Sequence, residues 1–137
     1  MKKECSSSPQ GFVESSIERL KSSGYRLTKT RLAVVQALST MKKPLNARGL
    51  FELVSSRQSL GKIDQVTVYR VLETLEELGL VHQVFPSGGY LPCMHTQCGD
   101  EMHILIRCSS CQDIAELDVP KETLAPMLWY LKDEHGF

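Results

Sequence analysis

Thr67-Val-Tyr-Arg-Val-Leu-Glu-Thr-Leu-Glu-Glu-Leu-Gly-Leu-Val-His82 decides the fold of this 137-residue chain. Val68, Val71 or Leu72, Leu75 and Leu78 recur at helical spacing and make one apolar face. Gln65, Thr67, Tyr69, Arg70, Glu73 and Glu77 lie away from it, and Gly79 stops the helix. The short segment that follows is apolar and ends on a histidine. A helix with an exposed Tyr-Arg pair is thus joined, almost without a spacer, to a potential metal ligand.

On the N-terminal side, Phe12–Ser23 carries Phe12, Val13, Ile17 and Leu20 and reads as a first helix ended by Gly24. Thr28 can cap a second helix running to about Thr40, with Leu32, Val35 and Leu38, or Ala33 and Ala37, on its inner side. After Pro44, Asn46 can cap a short third helix carrying Leu50, Phe51 and Val54. A polar loop spans residues 55–61, and Asp64 can cap the fourth helix. Leu80–Val84 and Tyr90–Leu91 flank the turn signal Pro86-Ser-Gly-Gly89 and read as a hairpin. Helices followed by a hairpin describe a winged helix-turn-helix, against the plainer alternative of a four-helix bundle with a stray hairpin.

The C-terminal part has another character. His103–Arg107 and Ile114–Leu117 read as short strands around Cys108-Ser-Ser-Cys111. Lys121–His135 reads as a helix whose Pro126 fits best in the first turn. Two strands and a helix bury too little apolar surface alone, so this part is expected to dimerise. The expected class is α+β: a flexible tail over 1–11, a winged-helix domain over 12–92, a hinge over 93–100 and a small α/β dimerisation domain over 101–137.

Charge divides the chain in the same sense. Residues 1–63 hold 12 Lys/Arg and 4 Asp/Glu; residues 64–137 hold 4 and 12. A basic half suits a polyanion-binding module, although solvated charged faces could cluster by chance. No apolar run approaches the roughly 18 residues of a membrane span. The basic N-terminus lacks the apolar core of a secretion signal. A cytoplasmic location is expected, where the five cysteines are thiols or metal ligands rather than disulfides. No nucleophile–base pair suggests an enzyme.

A helix in the major groove reads base edges from its first turns. Gln65, Thr67, Tyr69 and Arg70 occupy those positions. Arg26, Thr28, Lys29 and Arg31, around the start of the second helix, are candidates for DNA contact, the three cations for phosphate or minor-groove binding. Tyr69-Arg70 could otherwise be an ordinary surface pair.

Two thiols in Cys108-x-x-Cys111 suit tetrahedral zinc, and a redox pair has the same spacing. The missing partners of a closed site are not evident, with Cys98, Cys5 and His135 the remaining soft ligands. A second constellation is His82, Cys93, His103 and Glu116, a mixed N/S/O set drawn from both halves that suits Zn²⁺. Glu101, His95 and Cys98 are nearby substitutes. Each of these residues could alternatively be a surface group or a buried hydrophobe.

The runs Arg26-Leu-Thr-Lys-Thr-Arg31, Thr67-Val-Tyr-Arg-Val-Leu72 and Gly79-Leu-Val81, with His103 ahead of Cys108-x-x-Cys111, resemble the ferric uptake regulator family of metal-responsive repressors. The resemblance covers about residues 12–137. It implies a homodimer that binds palindromic double-stranded operator DNA when metal-loaded, with no small-molecule substrate. The placing of His82 and Cys93 is most similar to the zinc uptake regulator branch, and Pro44 stands where iron and peroxide sensors usually keep a hinge histidine.

By that resemblance Glu116 is the sensing-site carboxylate, with His103 favoured over Glu101 as the fourth ligand. Zn²⁺ is then expected in both a regulatory and a structural role. Relatives normally continue into a further strand and a second CxxC, so the C-terminal domain is expected to be truncated. Met102 and Leu105 replace accessory-site histidines, so no third metal site is expected. The expected function is a zinc-responsive repressor of zinc uptake genes. The rivals are an iron or peroxide sensor on the same scaffold and a thiol-redox protein using Cys108 and Cys111.

Overall fold

A computed structural model describes residues 8–57, 61–85, 87–94 and 102–136. They fall into two compact units, Met1–Gln97 and Cys98–Phe137. The first contains α1 (Pro9–Ser22), α2 (Lys29–Ser39), α3 (Ala47–Ser55), α4 (Gln65–Glu77), β1 (Val81–Val84) and β2 (Gly89–Pro92). The second contains β3 (Met102–Arg107), β4 (Ile114–Val119) and α5 (Lys121–His135). This is an α+β architecture, with a winged helix-turn-helix in the first unit.

The helix starts follow from local chemistry. Thr28 Oγ1 accepts from Arg31 N at 3.2 Å and Asn46 Oδ1 from Gly49 N at 2.8 Å, each satisfying an otherwise orphaned donor. The first helix begins earlier than Phe12, because Ser8 Oγ accepts from Gly11 N and Pro9 is pre-set for the first helical position. Asp64 departs from expectation. It sits at the N-cap of α4 but makes no side-chain cap bond, leaving its backbone carbonyl to accept from Thr67 and Val68.

At the other end of α4, Gly79 takes φ +69°. Gly79 N donates to Glu76 O and Leu80 N to Leu75 O, a Schellman closure that turns the chain straight into the wing. Leu78 is only partly buried, whereas Val68, Val71, Leu72 and Leu75 are fully inside.

α2 packs on α1, α3, α4 and β2, so both of its alternative apolar faces are used: Ala33, Val34, Val35, Ala37 and Leu38 are all buried. Phe12 and Leu20 from α1, Leu50 and Val54 from α3, and Leu80 and Val81 complete the core. β1 and β2 are antiparallel, with Val81 opposite Pro92 and Val84 opposite Gly89. Leu45 adds a bridge to Tyr90, exchanging bonds of 3.3 and 2.7 Å. The bridge forces close approach: a Cβ on Gly89 would lie 2.6 Å from Pro44 Cβ.

In the second unit β3 and β4 pair antiparallel, from Met102 opposite Val119 to Arg107 opposite Ile114. The Cys108–Asp113 turn closes through Cys108 N to Asp113 O at 2.8 Å and Gln112 N to Cys108 O at 3.0 Å. Pro126 is not in the first turn of α5. It is the sixth residue of a continuous helix, where it gives no N–H to the Glu122 carbonyl. Leu124 is buried, but Met127, Leu128, Trp129, Tyr130 and Leu131 are exposed, as are Ile106 and Leu117 on the strands.

Candidate metal centre and nucleic-acid interface

In the first unit Thr67, Tyr69 and Arg70 are exposed on the side of α4 opposite the buried valines and leucines, and Gln65 is half-buried. The cap at Thr28 starts α2 so that its first turn meets this face. Thr28, Arg31, Thr67, Arg70 and Thr74 line one shared groove together with Glu73. Four of the eight expected DNA-contacting residues therefore converge there. Arg26 and Lys29 are exposed nearby in sequence.

Arg31 is held in place before any ligand arrives. One guanidinium nitrogen donates to Arg26 O at 2.6 Å, and the group stacks 5.2 Å over the Tyr25 ring. Its Nε is buried without a hydrogen-bond acceptor. Thr74 is a groove residue missed in sequence; it lies one turn beyond Arg70, and its Oγ1 donates back to Arg70 O at 3.0 Å. The helical i,i+4 spacing was the signal that could have found it.

On β2, Tyr90 anchors the hairpin through its backbone bridge to Leu45. Burial, and then the charges of Glu76, Tyr69 and Glu73, push its phenol above 10.0. It stays neutral at physiological pH.

The first unit supplies two candidate metal donors. His82 is half-buried on β1 opposite Leu91. Cys93 directly follows β2, is buried, and continues the ladder by donating its N–H to Leu80 O at 2.9 Å. With 82 opposite 91 and 80 opposite 93, the two-residue period puts His82 and Cys93 on the same face of the hairpin.

The second unit supplies two more. His103 on β3 and Glu116 on β4 are diagonal neighbours on one face, and His103 Nδ1 lies 2.9 Å from Glu116 Oε1. Asp118 is directly opposite His103, its Oδ1 3.5 Å from Nε2, long for a hydrogen bond. Sequence reasoning did not single out Asp118, although the alternation Glu116-Leu117-Asp118 places both carboxylates on one face. Each unit taken by itself thus offers donors whose chemistry fits Zn²⁺, an imidazole with a thiol in the first and an imidazole with a carboxylate in the second.

Cys108 and Cys111 are exposed thiols in the tight turn. The Cys111 backbone N–H, followed by the Ser110 N–H and the Cys111 thiol, holds the Cys108 thiol below its ordinary value. That favours the thiolate, the form that binds metal. His135 lies at the end of α5 with its ring edge-on to Tyr130 at 5.5 Å. Glu101, His95, Cys98 and Cys5 lie outside the described residues. No described helix is long and apolar enough to cross a membrane.

Comparisons with known proteins agree on one family. Residues 22–125 match the sequence model of the ferric uptake regulator family. "Ferric uptake regulation protein 1" of Mycolicibacterium fortuitum is 33% identical over 118 residues, covering 86% of this chain and 69% of that protein. "Transcriptional regulator FurA" of Mycobacterium tuberculosis is 32% identical over 101 residues, covering 74% and 65%. The chain thus spans about two thirds of the length of these relatives. A solved zinc uptake regulator complexed with zinc and DNA superposes with a TM-score of 0.77 at 25% identity, covering 94% of this chain and 83% of that one.

Proposed function

Because the chain belongs to the ferric uptake regulator family, whose members are metal-responsive transcriptional regulators and not enzymes, we propose that it is a zinc-responsive repressor of zinc uptake genes. It acts in the cytoplasm as a homodimer on palindromic operator DNA. The winged helix over 12–92 binds DNA, 93–100 is the hinge, and 101–137 dimerises. Arg26, Thr28, Lys29, Arg31, Gln65, Thr67, Tyr69 and Arg70 form the DNA face. His82, Cys93, His103 and Glu116 are the sensing ligands, while Cys108 and Cys111 belong to a structural zinc site.

The observation that carries the choice of zinc is the buried Cys93 sharing a face with His82. Thiolate is a soft ligand, and thiolate with imidazole favours zinc over iron. Likeness to the zinc- and DNA-complexed regulator supports the same reading. Since each unit contributes two donors, His82 and Cys93 from one and His103 and Glu116 from the other, metal binding favours one inter-unit arrangement by differential affinity. That arrangement is the one in which both recognition helices meet their half-sites.

Cys93→Ser is expected to abolish zinc-dependent operator binding while leaving a folded dimer, measured by DNA binding across a zinc titration together with sedimentation. Unchanged zinc dependence in that variant overturns the sensing assignment. An iron sensor is the second reading, favoured by the relative named for ferric uptake regulation. It predicts iron in protein purified from mixed metals and iron-dependent DNA binding.

A further inference from the structure

Both ring nitrogens of His103 face a carboxylate. Nδ1 lies 2.9 Å from Glu116 and Nε2 3.5 Å from Asp118, all three side chains being on one face of the β3–β4 hairpin. The two contacts are not equivalent. Glu116 is on the diagonal and reaches the ring at full hydrogen-bonding distance; Asp118 is the direct cross-strand partner and stands further off. A neutral imidazole carries one proton, and its other nitrogen is left to bind metal.

We infer that Asp118 is a positioning residue for the sensing site: it holds the His103 proton on Nε2 and so presents Nδ1, beside Glu116, as the ligating atom. This rests on the zinc-sensing reading above. The physical reason is general. A ligating histidine whose second nitrogen donates to a carboxylate has its tautomer and ring orientation fixed and its basicity raised. With the proton on Nε2, rotation of the Asp118 side chain can close the 3.5 Å contact into a charge-assisted N–H···O pair. With the proton on Nδ1, the Glu116 contact would consume the donor edge and turn the ligating atom towards Asp118.

The strand register makes the device a stiff one. Pairing on either side of the His103–Asp118 position, from Met102–Val119 through Ile104–Leu117, fixes the separation of the two backbones. The side chains need adjust only by rotation about their own bonds. Nothing in the sequence motif distinguishes Asp118 from an ordinary surface carboxylate; its placement opposite His103 does.

The test uses the full chain, with Zn²⁺ as the probe in competition against a chromophoric chelator. Asp118→Asn and Asp118→Ala are each expected to weaken zinc binding about 10- to 100-fold, with Asn the milder. Long-range ¹H–¹⁵N spectra of histidine-labelled, zinc-loaded wild type should show His103 protonated on Nε2. A merely structural role for Asp118 would leave that tautomer unchanged in a folded Asp118→Asn variant, whereas positioning predicts tautomer mixing.

Unchanged zinc affinity in both Asp118 variants overturns the inference. So does a wild-type spectrum with Nε2 bound to metal, which would instead place Asp118 on the metal side. Cys93→Ser measured in parallel separates the two readings. If it weakens zinc binding and the Asp118 variants do not, only the inference fails. If Cys93→Ser has no effect, the four-ligand reading fails as well.

Discussion

Cys108 shows how a local hydrogen-bond pattern sets reactivity without any burial. Donors from Cys111 and Ser110 favour its thiolate, and the turn that supplies them is closed by the Cys108–Asp113 backbone bond. A lowered pKa means that the thiolate forms at lower pH than in an ordinary thiol. In metal-free protein, therefore, Cys108 should be alkylated with a pH midpoint below 9.0, read by mass-mapped labelling over a pH series. A midpoint at or above that value would contradict the turn geometry as the cause. Zinc should protect the site, since the thiolate that the alkylating reagent attacks is the form that ligates metal. The CxxC spacing alone showed the two thiols, but which one is activated depends on how the turn orients its amides. Asp118 carries the same lesson: its residue type was ordinary and its position decisive.

Among the elements, the four helices of the first unit were legible because caps and apolar periodicity are short-range properties. Thr28 and Asn46 cap as their side chains allow, and Gly79 ends α4 where a left-handed residue is needed. Asp64 was a reasonable cap by residue type, yet its side chain makes no such bond. The energetic consequence is testable. Asn46→Ala should cost about 1 kcal/mol, while Asp64→Ala should cost less than about 0.5 kcal/mol, both from urea unfolding of otherwise unchanged protein. Equal losses would mean that Asp64 caps α4 in solution. Pro126 was misplaced for the opposite reason. Local propensity favours the first turn, but α5 continues through it and forgoes one backbone bond. The Leu45–Tyr90 bridge was not legible at all, because it pairs the α2–α3 connection with β2, far away in the sequence.

For the whole molecule, the second unit leaves a large apolar surface on α5. Trp129 is 74% exposed and Tyr130 59%, with Met127 and Leu128 beside them in sequence. A helix and two strands cannot bury such a surface internally, which supports the proposed homodimer. Trp129→Glu is expected to shift the protein from dimer to monomer at low micromolar concentration while the first unit keeps its helical signal. Sedimentation equilibrium with circular dichroism reads both; a dimer of unchanged stability would place the interface elsewhere.

Separation of charge along the chain, a helix carrying Tyr69 and Arg70 and ended by Gly79, a hairpin carrying His82, and a CxxC turn were all determined by the sequence alone. Each rests on interactions within a few residues, where spacing and side-chain chemistry suffice. Tertiary structure decided what those pieces face. It set Arg31 beside Arg70 in one groove, brought Leu45 against Tyr90, and put Asp118 opposite His103. Such contacts depend on strand register and helix packing, which are settled by burial of the whole core and by backbone pairing rather than by any single stretch of residues.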